Sequence, residues 1–312
     1  MQKKMKKQIP YGCDNLGRLD SVLLHQPNPK ALKKITEDNH KRWLFDRVPK
    51  IKRFIGEHKK YQELLKSHGV TVYLLEDFVE ENKHLLPQLP NLTYMHDIAV
   101  VSRRGAFLSR MQHPARALEE VPVKEALNNL GIPLYSEFKD EDLFEGLLLL
   151  SEDTLLVANT ERHRYRSIHR FISQALEDFP YIIYTDIPDA RRYMHPDTIY
   201  NRIKDDLALA YLPVFTDSYL FTPDSMEKID FPKYMRGRGV ELIGVSDSEQ
   251  KRLACSFVPL DDAVMLQYDT ALDESTQREL KSRGVELILM HPEALTAGGG
   301  SLRCLTLRLH RR

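Results

Sequence analysis

The sequence predicts an α/β fold built from repeated strand–helix units within one domain, and three observations predict it. Short apolar stretches of strand length alternate with amphipathic stretches of helical period along the whole chain. The alternation recurs roughly every 55 to 60 residues, the size of one strand–helix unit with an added strand pair. No low-complexity segment or linker interrupts it. Self-similarity between units is weak, which favours pseudo-repeats over a solenoid. An open doubly wound sheet is the alternative that the same alternation permits.

The elements follow in order. Residues 18–25 read as a strand stopped by Pro27 and Pro29. Residues 49–67 read as a helix, with Ile51, Phe54, Ile55, Tyr61, Leu64 and Leu65 at helical spacing and Gly69 as its stop. Residues 70–75 form the next strand, and 97–102 and 106–111 a hairpin around Arg103-Arg104-Gly105. Residues 114–130 read as one helix closed by Gly131, and 147–150 with 154–157 as a strand pair around Ser151-Glu152-Asp153. A helix over 161–176 leads to a strand at 181–184. Further strands are expected at 207–211, 218–221, 240–245, 256–260 and 263–267. A helix over 274–282, a strand at 285–289 and a last strand at 303–309 complete the series.

Composition narrows the class. Of 312 residues, 45 are Lys or Arg and 45 Asp or Glu, a formal net charge of zero that argues against a protein built to hold nucleic acid. With 42% hydrophobic residues the chain is too apolar for disorder, apart from an expected short disordered basic N-terminus of about residues 1–8. The longest apolar run, 147–150, is strand length, so no membrane span is expected. The basic start lacks an apolar segment and does not read as a secretory signal. Cys13, Cys255 and Cys304 are an odd, sparse set without zinc-site spacing, which suits free thiols in the cytoplasm.

Several residues could carry chemistry. Cys304 follows Gly298-Gly299-Gly300 and Arg303, a setting for close backbone approach and a lowered thiol pKa; a buried small hydrophobe in a terminal strand is the plainer reading. His195-Pro196-Asp197 on an extended segment would point both side chains to one face, joining a proton carrier to a carboxylate. Glu145, at the mouth of the apolar strand, is a candidate partner for a histidine, or else a solvated strand end. Asp97 stands where a loop enters a strand, and Arg116 and Arg162 begin or precede helices, where arginines are commonly solvated.

Taken in order, these motifs resemble the guanidino-group-modifying (pentein) enzymes, the superfamily of arginine deiminases, dimethylarginine hydrolases and amidinotransferases. The opening Leu16-Gly17-Arg18 through Gln26-Pro27 is similar to the superfamily's first strand. Trp43-Leu44-Phe45-Asp46, Glu57-His58, and Pro90-Asn91-Leu92 through Asp97 and on to Pro114-Ala115-Arg116 resemble arginine deiminases. Glu145-Gly146, His195-Pro196-Asp197 through Asn201, and Gly298 to Cys304 complete the set. Two departures stand out. His96 replaces the usual arginine before the aspartate, and Leu147-Leu148 replace a Gly-Asp pair. About fifteen residues separate Leu75 from Asn91, so the helical insertion of long arginine deiminases is missing, as in the compact members.

The resemblance implies a five-bladed α/β propeller and a Cys-dependent hydrolase of a guanidino amino acid, with L-arginine giving citrulline and ammonia through a covalent thiouronium. It implies Cys304 as nucleophile, His195 as proton shuttle and Glu145 as its partner. Asp97 and Asp197 would grip the guanidinium, and Asn91, Arg116 and Arg162 would hold the substrate's carboxylate. No metal or organic cofactor is expected, and the partner is a small guanidino molecule, with no nucleic acid and no membrane; a homo-oligomer is left open. Dimethylarginine hydrolysis, arginine dihydrolysis and amidino transfer are the alternatives, followed by a non-catalytic binding protein of the same fold.

Overall fold

The computed structural model describes residues 7–138 and 141–312. One motif is built five times: an antiparallel strand pair, a helix, and a third strand parallel to its neighbour. A parallel neighbour needs a crossover, and in each unit a helix supplies it while covering the sheet. In the first unit Leu19–Leu24 lies between Thr71–Leu74, parallel to it, and the antiparallel Leu307–Arg311 from the far end of the chain. The crossover helix Ile51–Ser67 buries Phe54, Tyr61 and Leu65. The second unit pairs Ala99–Ser102 with Gly105–Leu108 and adds Leu134–Glu137 after the helix Glu120–Asn129.

The third unit pairs Leu148–Leu149 with Thr154–Asn159 and crosses by the helix Tyr165–Ala175 to Tyr181–Asp186. The fourth pairs Tyr200–Lys204 with Leu207–Ala210 and crosses by Phe231–Gly237 to Glu241–Gly244. A hairpin, Asp217–Phe221 with Met226–Ile229, leaves this crossover and extends the third sheet to five strands. The fifth unit pairs Val258–Asp261 with Val264–Tyr268 and adds Glu286–Met290 after the helix Glu274–Ser282. Four apolar clusters fill the space between sheets and helices.

Among the described residues the structure therefore has five small sheets where the doubly wound alternative would have one. Other expectations are corrected at places that matter later. The helix expected over 114–130 is two pieces, a 3₁₀ turn Pro114–Arg116 and the helix Glu120–Asn129, because Leu118 takes a left-handed conformation (φ +72°) that breaks the periodicity. The helix expected from 161 starts at Tyr165, because Arg162 and His163 turn inward on a loop tied by the Arg164 N–H to Leu143 O. The last strand is Leu307–Arg311, and residues 302–305 form a turn, so Cys304 does not lie in a strand. The strands Leu134–Glu137, Tyr200–Lys204 and Met226–Ile229, and the short helices Pro29–Leu32, Phe231–Gly237 and Asp247–Lys251, were not expected.

Of the expected N-terminal tail, residues 1–6 lie outside the described residues; Lys7 N–H donates to Asn129 O at 3.0 Å. Among the described residues no helix is long and apolar enough to cross a membrane.

Candidate active site

Loops leaving several of the units converge on one narrow cavity, about 510 Å³ counted to its open mouth. Six of the eight expected site residues line it: Asn91, Asp97, Arg116, Arg162, His195 and Cys304. Glu145 and Asp197 stand behind that wall, 0% and 1% exposed.

The Cys304 loop is shaped by a single ring. A Cβ on Gly298 would lie 1.8 Å from Tyr94 Oη, and one on Gly300 2.4 Å from Tyr94 Cε1, so only glycine lets the backbone lie against that ring. Gly299 between them takes φ +73°. Upstream, Glu57 on the first crossover helix accepts the N–H groups of Ala294 and Leu295 at 2.6 and 2.8 Å and fixes the approach to the loop. Downstream, Ser301 Oγ lies 3.3 Å from Cys304 Sγ, and Cys304 O accepts the His96 N–H at 3.0 Å. Burial, with Asp197 and Asp97 adding to it, pushes the Cys304 thiol up to about 12.

His195 sits between two carboxylates. Its Nε2 donates to Glu145 Oε2 at 2.9 Å, and its Nδ1 lies 3.2 Å from Asp97 Oδ1. Burial opposes the imidazolium, but Asp97 and Glu145 outweigh it and raise the pKa above its ordinary value. Burial likewise opposes ionised Glu145, yet the His195 hydrogen bond and charge, with Arg162 and Arg116, hold it down at about 2. The other oxygen of Glu145 accepts Gln112 N–H at 2.6 Å. His195 is extended, but Pro196–Thr198 form a 3₁₀ turn, so the extended His-x-Asp expected from the sequence is replaced by a turn. Asp197 consequently leaves the cavity wall: Ser256 Oγ donates to its Oδ2 at 3.0 Å, and Arg303 Nε is 3.5 Å away.

The two arginines expected to take a carboxylate differ in their surroundings. Both are buried, against the solvated reading. Arg116 donates to Asp97 Oδ2, Glu119 Oε2 and Tyr94 O, each at 2.8 Å. Burial works against its charge, but Glu119 and Asp97 overcome this and raise it further. Arg162 donates through Nε to Glu161 at 3.0 Å, while its Nη1 is buried without a hydrogen-bond partner, 4.0 Å from Glu145 Oε2. Asn91 Nδ2 donates to Trp43 O at 2.9 Å.

Leu147 and Leu148, the departures after Glu145, belong to core clusters and not to the cavity wall. His96 is buried, and desolvation with Arg303 and Arg308 nearby holds it well below its ordinary pKa. Sequence reasoning missed Tyr94, Arg191, Met194 and Glu119. Only Glu119 left a signal, an acid three residues after Arg116. Among the described residues no group of His, Cys, Asp and Glu is arranged to hold a metal ion.

Comparison with known proteins gives concordant relatives. The family model for arginine deiminase matches residues 41–84 and 78–311. The uncharacterised protein YkgA of Bacillus subtilis is 26% identical over 297 residues, covering 95% of this chain and 93% of its own. An arginine deiminase of Listeria monocytogenes is 26% identical over 302 residues, 86% of this chain and 72% of the relative. Among solved structures, the product-bound N-terminal domain of ArgZ, an arginine dihydrolase of cyanobacteria, superposes with TM-score 0.71 at 20% identity, over 92% of this chain and 96% of that one. Unliganded AgrE gives 0.71 at 19% over 93% of this chain, which spans only 40% of AgrE. At such identities the structural likenesses bear on the fold, a mixed α/β fold of the pentein type.

Proposed function

The chain belongs to the arginine deiminase family, and from that premise we propose that it is a Cys-dependent hydrolase of a free guanidino amino acid, converting L-arginine to citrulline and ammonia. The observation that carries this reading is the convergence of Cys304, His195 and Asp97 on one cavity, with Glu145 directly behind His195.

Before substrate binds, burial favours the Cys304 thiol, and Asp97 and Glu145 favour the imidazolium form of His195. The carboxylates that disfavour a thiolate attract a guanidinium. Once bound, its positive charge offsets Asp97 and Asp197 and lowers the cost of ionising Cys304, whose proton leaves to solvent. The Sγ thiolate attacks the central guanidinium carbon, held in place by Asp97. His195, through Nδ1 on the cavity side, protonates the departing nitrogen, which leaves as ammonia from a thiouronium on Sγ. Neutral His195 then takes a proton from the water that attacks this carbon, and Cys304 departs as thiolate. Glu145 keeps His195 oriented and basic. Arg162, with its unpartnered Nη1, is the leading donor to the substrate's carboxylate, with Asn91 beside it; Arg116 acts there chiefly through Asp97, which it already holds.

Incubation with arginine should release citrulline, and Cys304→Ala should abolish it; no product from any guanidino compound would sink the reading. Arginine dihydrolysis to ornithine is the second reading, supported by the superposition on the domain of ArgZ, an arginine dihydrolase. Product masses from arginine, methylated arginines, agmatine and guanidinoacetate, with and without an amine acceptor, separate these and amidino transfer. The same reading takes the five units as blades of one five-bladed catalytic domain over residues 1–312, in a reducing cytoplasm that suits three free thiols.

A further inference from the structure

Where the first sheet packs on the strand Val258–Asp261, three arginines crowd together with little to neutralise them. Arg303 and Arg311 are 2% and 3% exposed, and Arg308 is partly buried. Arg308 and Arg311 stand opposite Val22 and Leu19 on the neighbouring strand. Strict alternation would turn residues three apart to opposite sides, but the register is irregular on both sides of Ser21. Both arginines therefore share the side on which Leu19 and Val22 join one apolar cluster. Arg311 donates to Gly17 O at 2.7 Å and to Pro259 O, and Arg303 to Phe257 O at 3.4 Å. The Nε of all three is buried without a hydrogen-bond partner. Among the described residues the one carboxylate within ion-pair distance of any of them is Asp197, 3.5 Å from Arg303 Nε.

No other neighbour supplies the missing negative charge. Burial pushes the Cys13 thiol up even though Arg308, Arg311 and Arg303 draw it down, so Cys13 stays uncharged near neutrality. His96 is held neutral. Asp261 favours the charge of Arg311 but forms no ion pair with it. Desolvation pulls all three guanidiniums below their ordinary value, and Arg308 adds to this for Arg303 and Arg311. Guanidiniums keep their protons in proteins, so three positive charges face one carboxylate. A buried charge without a partner is costly, and an ion that pairs with it removes the cost. We propose that Arg308 and Arg311, with Arg303 beside them, form a binding site for a small inorganic anion, a halide or a compact oxyanion. The planar forks offer donors to either. None of the three arginines lines the cavity that holds Cys304, so this site is separate from the reaction cleft and does not rest on the hydrolase reading.

The test follows thermal unfolding of the full chain in sodium gluconate, a bulkier anion, replaced stepwise by sodium chloride or by sodium phosphate at constant ionic strength and pH. Wild type, Arg308→Met and Arg308→Lys are compared. The wild-type Tm should rise saturably, by about 2–4 °C, with chloride, phosphate or both. Saturation with chloride alone assigns a halide, and with phosphate alone an oxyanion. Arg308→Met removes one uncompensated charge. In gluconate it should melt no lower than the wild type, and it should lose the saturable rise. Arg308→Lys keeps the charge without the fork and should need about tenfold more salt for the same rise. A wild-type Tm without a saturable rise overturns the proposal. A rise of equal size and midpoint in all three proteins is a general salt effect and overturns it too. If Arg308→Met does not fold, an Arg308→Lys midpoint equal to that of the wild type overturns it.

Discussion

The two ends of the cleft are built differently. At the reacting end each charged group has an opposite charge beside it: His195 lies between Glu145 and Asp97, and Arg116 joins Asp97 to Glu119, while Asp97 Oδ1 and Glu119 Oε1 accept no hydrogen bond. Toward the other end Arg162, 4.0 Å from Glu145, keeps a buried donor without a hydrogen-bond partner, and Arg191 is held by a carbonyl and an exposed carboxylate. A network of paired charges holds geometry, because moving any member strands another charge in a dry environment. An open donor is stabilised only when something binds it. Rate should therefore reside in the first region and ligand choice in the second.

The largest effect that would test this division is on rate. His195→Gln should lower kcat by about 10² to 10⁴-fold with little change in KM, read by steady-state kinetics. An equal fall in kcat and rise in KM would instead make the reacting end a binding site. Next in size is stability. Arg116→Met leaves Glu119 buried without a counter-charge and Asp97 with His195 alone, and should cost about 3 kcal/mol, read by denaturant unfolding. Arg162→Met should unfold near the wild-type midpoint and instead raise KM for arginine about ten- to hundredfold. Agmatine, which has no carboxylate, should be indifferent to that change; wild-type turnover of agmatine as efficient as that of arginine would erase the distinction between the ends.

The smallest effect is on pH. His195 is raised above its ordinary 6.5, so the imidazolium survives past that pH and activity falls as pH rises through the raised value. Glu145→Gln removes one of the groups that raise it and should move this alkaline limb to lower pH in a kcat/KM profile. In stability, the raised His195 contributes fully below pH 6.5 and loses its contribution as pH rises. Glu145, lowered from 4.5 to about 2, contributes fully above 4.5 and loses it on acidification. The pair should therefore stabilise most between pH 4.5 and 6.5.

The same contrast explains what could be read in advance. Four of the five helices that cross between parallel strands show in the periodicity, because each buries one apolar stripe; Phe54, Tyr61 and Leu65 are the clearest, and the short Phe231–Gly237 escaped. The ordered motifs around Asn91, Asp97, Glu145, His195 and Cys304 were legible as a set, although no single one was. What escaped depends on local breaks. Leu118 in a left-handed conformation splits a helix whose pattern runs on, and that break lets Arg116 turn inward to Asp97. The turn at Pro196–Thr198 moves Asp197 off the cavity wall, which an extended His-x-Asp would not do. Tyr94 escaped because its role is steric. It sets the Gly298–Gly300 backbone, and a glycine run does not announce which ring lies against it.

The pairing of Leu307–Arg311 with Leu19–Leu24 has a consequence for biosynthesis. The earlier strand leaves the ribosome on the order of tens of seconds before its partner is made, at ordinary elongation rates. Until then Leu19–Leu24 has one side unpaired, a template for pairing with a neighbouring chain. The segment that covers this edge arrives immediately after Cys304. The thiol of the site and the strand that completes the sheet thus leave the ribosome within a few residues of each other, so the first sheet is completed just as the site receives its nucleophile.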